Sequence, residues 1–250
     1  MIELTTQIRQ LEEAGMTALP ALSTLYCDGW VLRFAGGHTN RANSVNPLYP
    51  SHLPLDEKIA RCEALYRAQN LPVVFKMTQA AIPGELDARL TQRGYEALPP
   101  TSVQVADFRQ LDLPESASVT LRETCSAEWL DAYARMNEVP SHRRDLLGSM
   151  LAALITPAAY ASIEQNGEMI AVGLAVESHG FVGLFDIVTV AHARRRGFGR
   201  NIVASLLRWG QQHGGQQAYL QVVAANTPAV QLYANLGFHE LYHYWYRRKV

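Results

Sequence analysis

The chain has 250 residues, a length that holds one large α/β unit or two small ones. With 48% hydrophobic and 18% charged residues it reads as a soluble globular protein, which excludes disordered, collagenous and disulfide-scaffold classes. A formal net charge of -1 leaves no global basic field, so no nucleic-acid partner is expected and any phosphate recognition must be local.

Cys27, Cys62 and Cys125 are isolated in sequence and odd in number, which predicts reduced thiols rather than a disulfide framework or a zinc site. No metal is expected. Residues 1–10 carry Glu3 and Arg9 and lack the basic and apolar regions of a secretory signal. The uncharged stretch Leu146 to Ile163 is interrupted by Gly148, Ser149, Thr156, Pro157 and Ser162, so it reads as a helix end followed by a buried strand. A cytoplasmic protein without a membrane partner is the expectation.

In chain order, the pattern predicts a helix near Thr5 to Ala14, strands at Gly29 to Phe34 and Ala42 to Pro47, and a helix from Asp56 to Gln69. A strand at Pro72 to Thr78, a short helix near Gly84 to Arg93 and a strand at Ser102 to Phe108 follow. The polar stretch from Gly36 to Asn43, with Asn46 to Pro50, either lines an acceptor pocket or forms a turn with His38 and Arg41 in solvent. The loop-like run from Arg109 to Ser118 places a domain boundary between 117 and 118. Net charge is -3 before it and +2 after it.

The second half opens with a strand at Ser118 to Cys125, Ser126 as a helix N-cap, and a helix from about Ser141 to Leu154. Strands Ala158 to Gln165 and Glu168 to Val176 flank Asn166-Gly167, a dipeptide suited to a type I′ hairpin. Phe181 to Val190 extends this meander. Ile202, Leu206 and Trp209 then form a helical stripe, Gln217 to Val223 is a strand, and Ala229, Leu232, Tyr233 and Leu236 form a second stripe stopped by Gly237.

Between strand and helix stands Arg194-Arg-Arg-Gly-Phe-Gly-Arg200. A turn opening a helix presents unpaired N–H groups, glycines admit a ligand to the backbone, and guanidinium groups bond phosphate oxygens. Neither a Walker loop nor a GxGxxG pattern is present. The residues alone leave two readings, a solvated charge run or a diphosphate cradle. Tyr233 alone likewise reads as either a packing or a functional residue.

The stretch Asp186 to Arg200 resembles the acetyl-CoA motif of the GNAT N-acetyltransferase superfamily, [RQ]xxGx[GA] between a strand and a helix, filled here by Arg194, Gly197 and Gly199. Asn226-Thr-Pro-Ala-Val-Gln-Leu-Tyr-Ala-Asn-Leu-Gly-Phe238 resembles that superfamily's NxxAxxLYxxxGF signature at every anchor. One departure is Ala191, where the family often has proline. The resemblance implies a mixed, mostly antiparallel α/β sheet flanked by helices, with acetyl-CoA as co-substrate. Backbone at Ile187, Val188 and Thr189 would hold the pantetheine arm. The turn of Arg195, Arg196, Gly197, Phe198, Gly199 and Arg200 would wrap the pyrophosphate, with Asn226 at the next helix start.

By the same resemblance, a primary amine attacks the thioester directly, Tyr233 protonates the departing thiolate, and amides near Val188 and Thr189 hold the thioester oxygen. The base stays open among Asp186, Glu177 and water. Val74 to Met77, Pro83 and Leu90 to Glu96 echo Tyr219 to Val222, Pro228 and Tyr233 to His239. The chain thus resembles a pseudo-duplicated GNAT protein, with a degenerate unit at 1–117 and the catalytic unit at 118–250. The first unit lacks the glycine turn, since Leu48 to Leu55 carries Pro50 and Pro54 instead, and no CoA is expected there. A non-catalytic acyl-CoA sensor or a nucleotide binder would use the same turn. The acceptor is a small-molecule or peptide amine, and the chain a monomer or homodimer.

Overall fold

A computed structural model describes residues 2–111, 113 and 119–249. The chain divides into two compact units, Met1–Ser102 with Tyr242–Val250, and Val103–Leu241. The boundary read from sequence lies outside the described residues, which omit 114–118.

The first unit starts with α1 (Ile2–Ala18), followed by strands β1 (Ser23–Cys27) and β2 (Trp30–Phe34) in an antiparallel hairpin. Where a strand was expected at Ala42 to Pro47, a 3-10 turn at Asn40–Ala42 precedes a two-residue strand, β3 (Val45–Asn46). The polar run before it is tied down rather than solvated. Asn43 Oδ1 accepts from the amides of Ala35 at 2.8 Å and Gly37 at 2.9 Å, and His38 and Arg41 are half-buried. Helix α2 (Leu55–Ala68), strand β4 (Val73–Met77) and helix α3 (Leu86–Gln92) follow as expected, then β5 (Glu96–Ala97) and β6 (Thr101–Asp107).

The second unit carries β7 (Thr120–Arg122), α4 (Ala127–Met136), α5 (Ser141–Ala152), β8 (Ala158–Gln165), β9 (Glu168–Ser178) and β10 (Phe181–Thr189). Then come α6 (Phe198–Gln212), β11 (Gln217–Val223), α7 (Thr227–Ala234) and β12 (His239–Lys249). Ser126 caps α4 by accepting from the Trp129 amide at 3.2 Å. Asn166 and Gly167 both hold positive φ, 51° and 77°, as their hairpin requires.

The strand order within the second unit is β6-β11-β10-β9-β8-β7, antiparallel from β10 to β7, with β10 and β11 parallel. Alternation along β8 separates two faces. Ala159, Ala161 and Ile163 join the core under α6, while Tyr160 meets Trp129 of α4 edge-on at 5.2 Å. Within the first unit the order runs β1-β2-β3-β4, and β12 pairs with β4, Trp245 opposite Met77.

Each unit is therefore completed by a strand from the other half of the sequence. β12, the last strand in the chain, closes the first unit beside β4, and β6, which ends the first half, lies against β11 in the second. Among the described residues no helix is long and apolar enough to cross a membrane.

Candidate active site

β10 gives the site its shape. Phe185 pairs with Leu174 of β9 and Val188 with Val172, so the two-residue step on β9 answers a three-residue step on β10, a bulge. Asp186, inside it, has φ of 54°. Opposite the bulge stands Gly173, where a Cβ would lie 2.6 Å from both Ile187 Cδ1 and Ile202 Cγ2. The missing side chain lets α6 press onto β9 at this level.

The parallel pairing of β10 with β11 runs from Phe181 opposite Gln217 to Leu184 opposite Leu220 and goes no further. Beyond it the strands part. The Val190 amide donates to Ile170 O at 2.9 Å, so alternation assigns Val188 N–H to the β9 ladder and turns Thr189 N–H toward the gap.

After β10 the chain makes a short 3-10 turn at Ala191–Ala193, and Arg194 Nε donates back to Thr189 O at 3.1 Å. The first arginine of the motif thus fastens the turn to the strand end. Arg195 at φ 61° and Gly197 at φ 86° then reverse the backbone into α6. Gly197 is the N-cap, and among the described residues no side chain caps the helix start. A Cβ on Gly197 would meet nothing within 4 Å, and one on Gly199 would only touch Leu232 and Thr189 at 3.8 Å. The space above this helix start is open, and the amides of its first turn face it.

α7 supplies the facing wall. Asn226 Oδ1 accepts from the Ala229 amide at 3.3 Å, Pro228 sits in the first turn, and Gly237 at φ 90° ends the helix region. Tyr233 is 9% exposed, its ring edge-on to Phe238 at 6.0 Å, and burial alone pushes its hydroxyl up to about 12. It is therefore held protonated.

These elements enclose one cleft of about 1020 Å³. Ile187, Val188 and Thr189 form one side, Arg195, Gly197, Phe198, Gly199 and Arg200 the head, and Asn226 and Tyr233 the other side. Arg196 is the exception. It does not line the cleft, and its guanidinium lies over the Phe198 ring at 5.1 Å. Ala191, His192 and Leu232 also line it, the last readable from the α7 stripe.

The two candidate bases separate. Glu177 accepts from Gly180 N–H at 2.8 Å and so caps the β9–β10 hairpin, opposite Val182 and about 13 Å along the strand from the bulge. Asp186 lies at the bulge itself, beside Ile187 and Val188 of the cleft wall.

The family described as "Probable histone acetyltransferase Rv0428c C-terminal" matches residues 5–247. A Bacillus subtilis protein described as "Uncharacterized N-acetyltransferase YobR" is 25% identical over 97% of this chain and 98% of its own length. A GCN5-related N-acetyltransferase from Kribbella flavida shares the fold at TM-score 0.71 and 16% identity, over 96% of this chain and 95% of that one. So does a tandem GNAT protein from the clavulanic acid biosynthesis pathway, at TM-score 0.66 and 14% identity over 96% and 87%. The chain belongs to the Rv0428c C-terminal family and is an N-acetyltransferase of the GNAT superfamily.

Proposed function

We propose that the protein transfers an acetyl group from acetyl-CoA to a primary amine, with the cleft between β10, α6 and α7 as the cofactor site. The observation carrying this reading is the uncapped start of α6, with open space at Gly197 and Gly199, facing the parted end of β10 and the Tyr233 hydroxyl. A diphosphate fits it: the first-turn amides and helix dipole favour an anion by about 0.3–1 kcal/mol, with Arg195 and Arg200 adding charge.

Bound acetyl-CoA supplies an activated acetyl thioester. Thr189 N–H holds the pantetheine arm or the thioester oxygen from the gap, and Arg194 keeps that strand end in place. Asp186 accepts the proton that the amine loses as its nitrogen bonds to the acetyl carbon. Tyr233 gives its proton to the sulfur as the carbon–sulfur bond breaks, so protons and charge balance. A hydroxyl held at about 12 serves as donor, not as base, at neutral pH. The setting proposed is cytoplasmic, and the oligomer a monomer or homodimer.

Calorimetric titration with acetyl-CoA tests the cofactor site, comparing wild type with Gly197→Glu. That substitution puts a carboxylate into the anion site and a side chain at φ 86°. One-to-one binding lost in the variant is the expected result. Absence of binding to wild type, or equal binding by the variant, overturns the reading.

A further inference from the structure

Two of the three cysteines, distant in sequence, meet in the first unit. Cys27 ends β1 at the hairpin turn, half-buried against the apolar core of that unit, and Cys62 stands on α2 inside the same core at 0% exposure. The Cys27 side chain acts on the Cys62 thiol by charge and by a hydrogen bond, so the two sulfurs are neighbours. Burial first, then Cys27, pushes the Cys62 thiol up to about 12, and it stays protonated at rest.

The surrounding chain fixes this meeting from both sides. Asp28 and Gly29, at φ of 45° and 83°, make the two-residue turn between β1 and β2, across which Cys27 pairs with Trp30. The Asp28 carboxylate accepts from the amides of His52 and Leu53, each at 2.9 Å, and a Cβ on Gly29 would overlap Pro50 O. Lys58 stands one helical turn before Cys62, on the same buried face of α2. Its Nζ donates to Asp28 O, lies 3.6 Å from Asp28 Oδ2, and sits over the Trp30 ring at 4.0 Å. That bond draws α2 to the end of the hairpin, and Cys62 with it. The same ammonium acts on both thiols, so a thiolate formed at either sulfur stands beside a buried positive charge.

The two sulfurs differ in access. Cys27 reaches solvent in part and Cys62 does not, so a small oxidant meets Cys27 first. One sulfur to be attacked, with a second beside it to resolve the product, is what reversible thiol oxidation requires.

We propose that Cys27 and Cys62 form a reversible oxidation site, at which hydrogen peroxide closes a disulfide that fastens the β1–β2 turn to α2. The Cys27 thiolate attacks one peroxide oxygen, the O–O bond breaks, and the departing hydroxide takes up the proton that Cys27 lost, giving water and a sulfenic acid. The Cys62 sulfur then displaces the hydroxyl from Cys27 as the S–S bond forms, and its own proton leaves with that hydroxyl as a second water. The two sulfurs together lose two electrons and the peroxide gains them. A dithiol reopens the pair by exchange and is itself oxidised to a disulfide. The site is independent of the acetyl-transfer reading.

The full chain, folded and in urea, is treated with hydrogen peroxide, blocked with N-ethylmaleimide and mapped by peptide mass spectrometry. The expected result is a Cys27–Cys62 link in the folded protein, lost on adding dithiothreitol. Cys62→Ala leaves the sulfenic acid unresolved, so dimedone should label Cys27 in that variant and not in wild type. Peroxide should raise the thermal midpoint of wild type by about 5 °C or more, because the link constrains the unfolded chain. Cys27→Ala, at the half-buried position, should fold as wild type by circular dichroism and lose both the link and the rise, an arm that stands even if Cys62→Ala is destabilised. Absence of the link from the folded protein, a link formed only in urea or made to Cys125, equal dimedone labelling of wild type and Cys62→Ala, or an unchanged midpoint overturns the proposal.

Discussion

At the scale of single residues, the proposed chemistry rests on Tyr233 more than on any other side chain. Its hydroxyl is raised to about 12 by burial against Phe238 and the α7 stripe, with no charged neighbour contributing. Since the folded value lies far above neutrality, the acid form is fully populated across the physiological range. Tyr233→Phe removes one oxygen and keeps the packing, so acetyl-CoA binding should persist while kcat falls by about 10² to 10⁴. In wild type, no loss of rate from Tyr233 ionisation should appear below about pH 11. A stopped-flow assay of CoA thiol release across pH measures both. Unchanged turnover in the variant would favour the sensor reading, in which the cleft binds acyl-CoA without chemistry.

At the scale of elements, what the sequence makes legible is what short-range chemistry dictates. Asn166-Gly167, Ser126, Asn226 and Gly237 each act on neighbours within a few residues, and all do what their types require. The turn from Arg194 to Arg200 was readable for the same reason, except that Arg196 turns away onto Phe198. Strands β1 and β12 escaped. β1 is exposed along nearly its whole length and offers no alternation. In β12 the alternation is present, with Tyr242, Tyr244 and Tyr246 all buried, but a run of histidines and arginines masks it. What fixes β12 is a long-range clamp: Asp87 of α3 accepts from Trp245 Nε1 at 2.8 Å and from Arg247 at 2.9 and 2.7 Å. The bond from Arg247, then the Trp245 bond, holds the Asp87 carboxyl below its ordinary range. A depressed folded pKa gives stability that is full above the ordinary carboxylate range and lost as pH falls through the folded value. Asp87→Ala should therefore cost about 1–2 kcal/mol at pH 7, a figure discounted for screening because that side chain is 34% exposed. Urea denaturation should show the difference from wild type shrinking below about pH 4.

At the scale of the whole molecule, the exchange of strands between halves means that neither half of the sequence contains a complete unit. No local pattern could announce this, because β6 reads as an ordinary terminal strand, β12 carries no strand reading in the sequence, and only their partners reveal the exchange. Consider residues 1–117 alone. β4 is buried at all five positions, with Phe75 and Met77 in the core of the first unit, and it takes β12 along one edge. Without β12 that edge exposes unpaired amides and carbonyls together with apolar side chains. Lys76, moreover, is paired with Glu12 at 2.6 Å and lies over the Tyr244 ring at 3.9 Å, while Tyr242 donates to Glu12 at 2.7 Å. Removing β12 strips both tyrosines from a nearly buried ion pair, which leaves two charges poorly solvated by protein. The fragment should therefore lack a cooperative thermal transition and elute as aggregate, as read by circular dichroism and size exclusion. Adding residues 242–250 through a flexible linker after Phe108 should restore folding of this unit. A fragment 1–117 that melts cooperatively as a monomer would show that β12 closes the unit without being needed to form it.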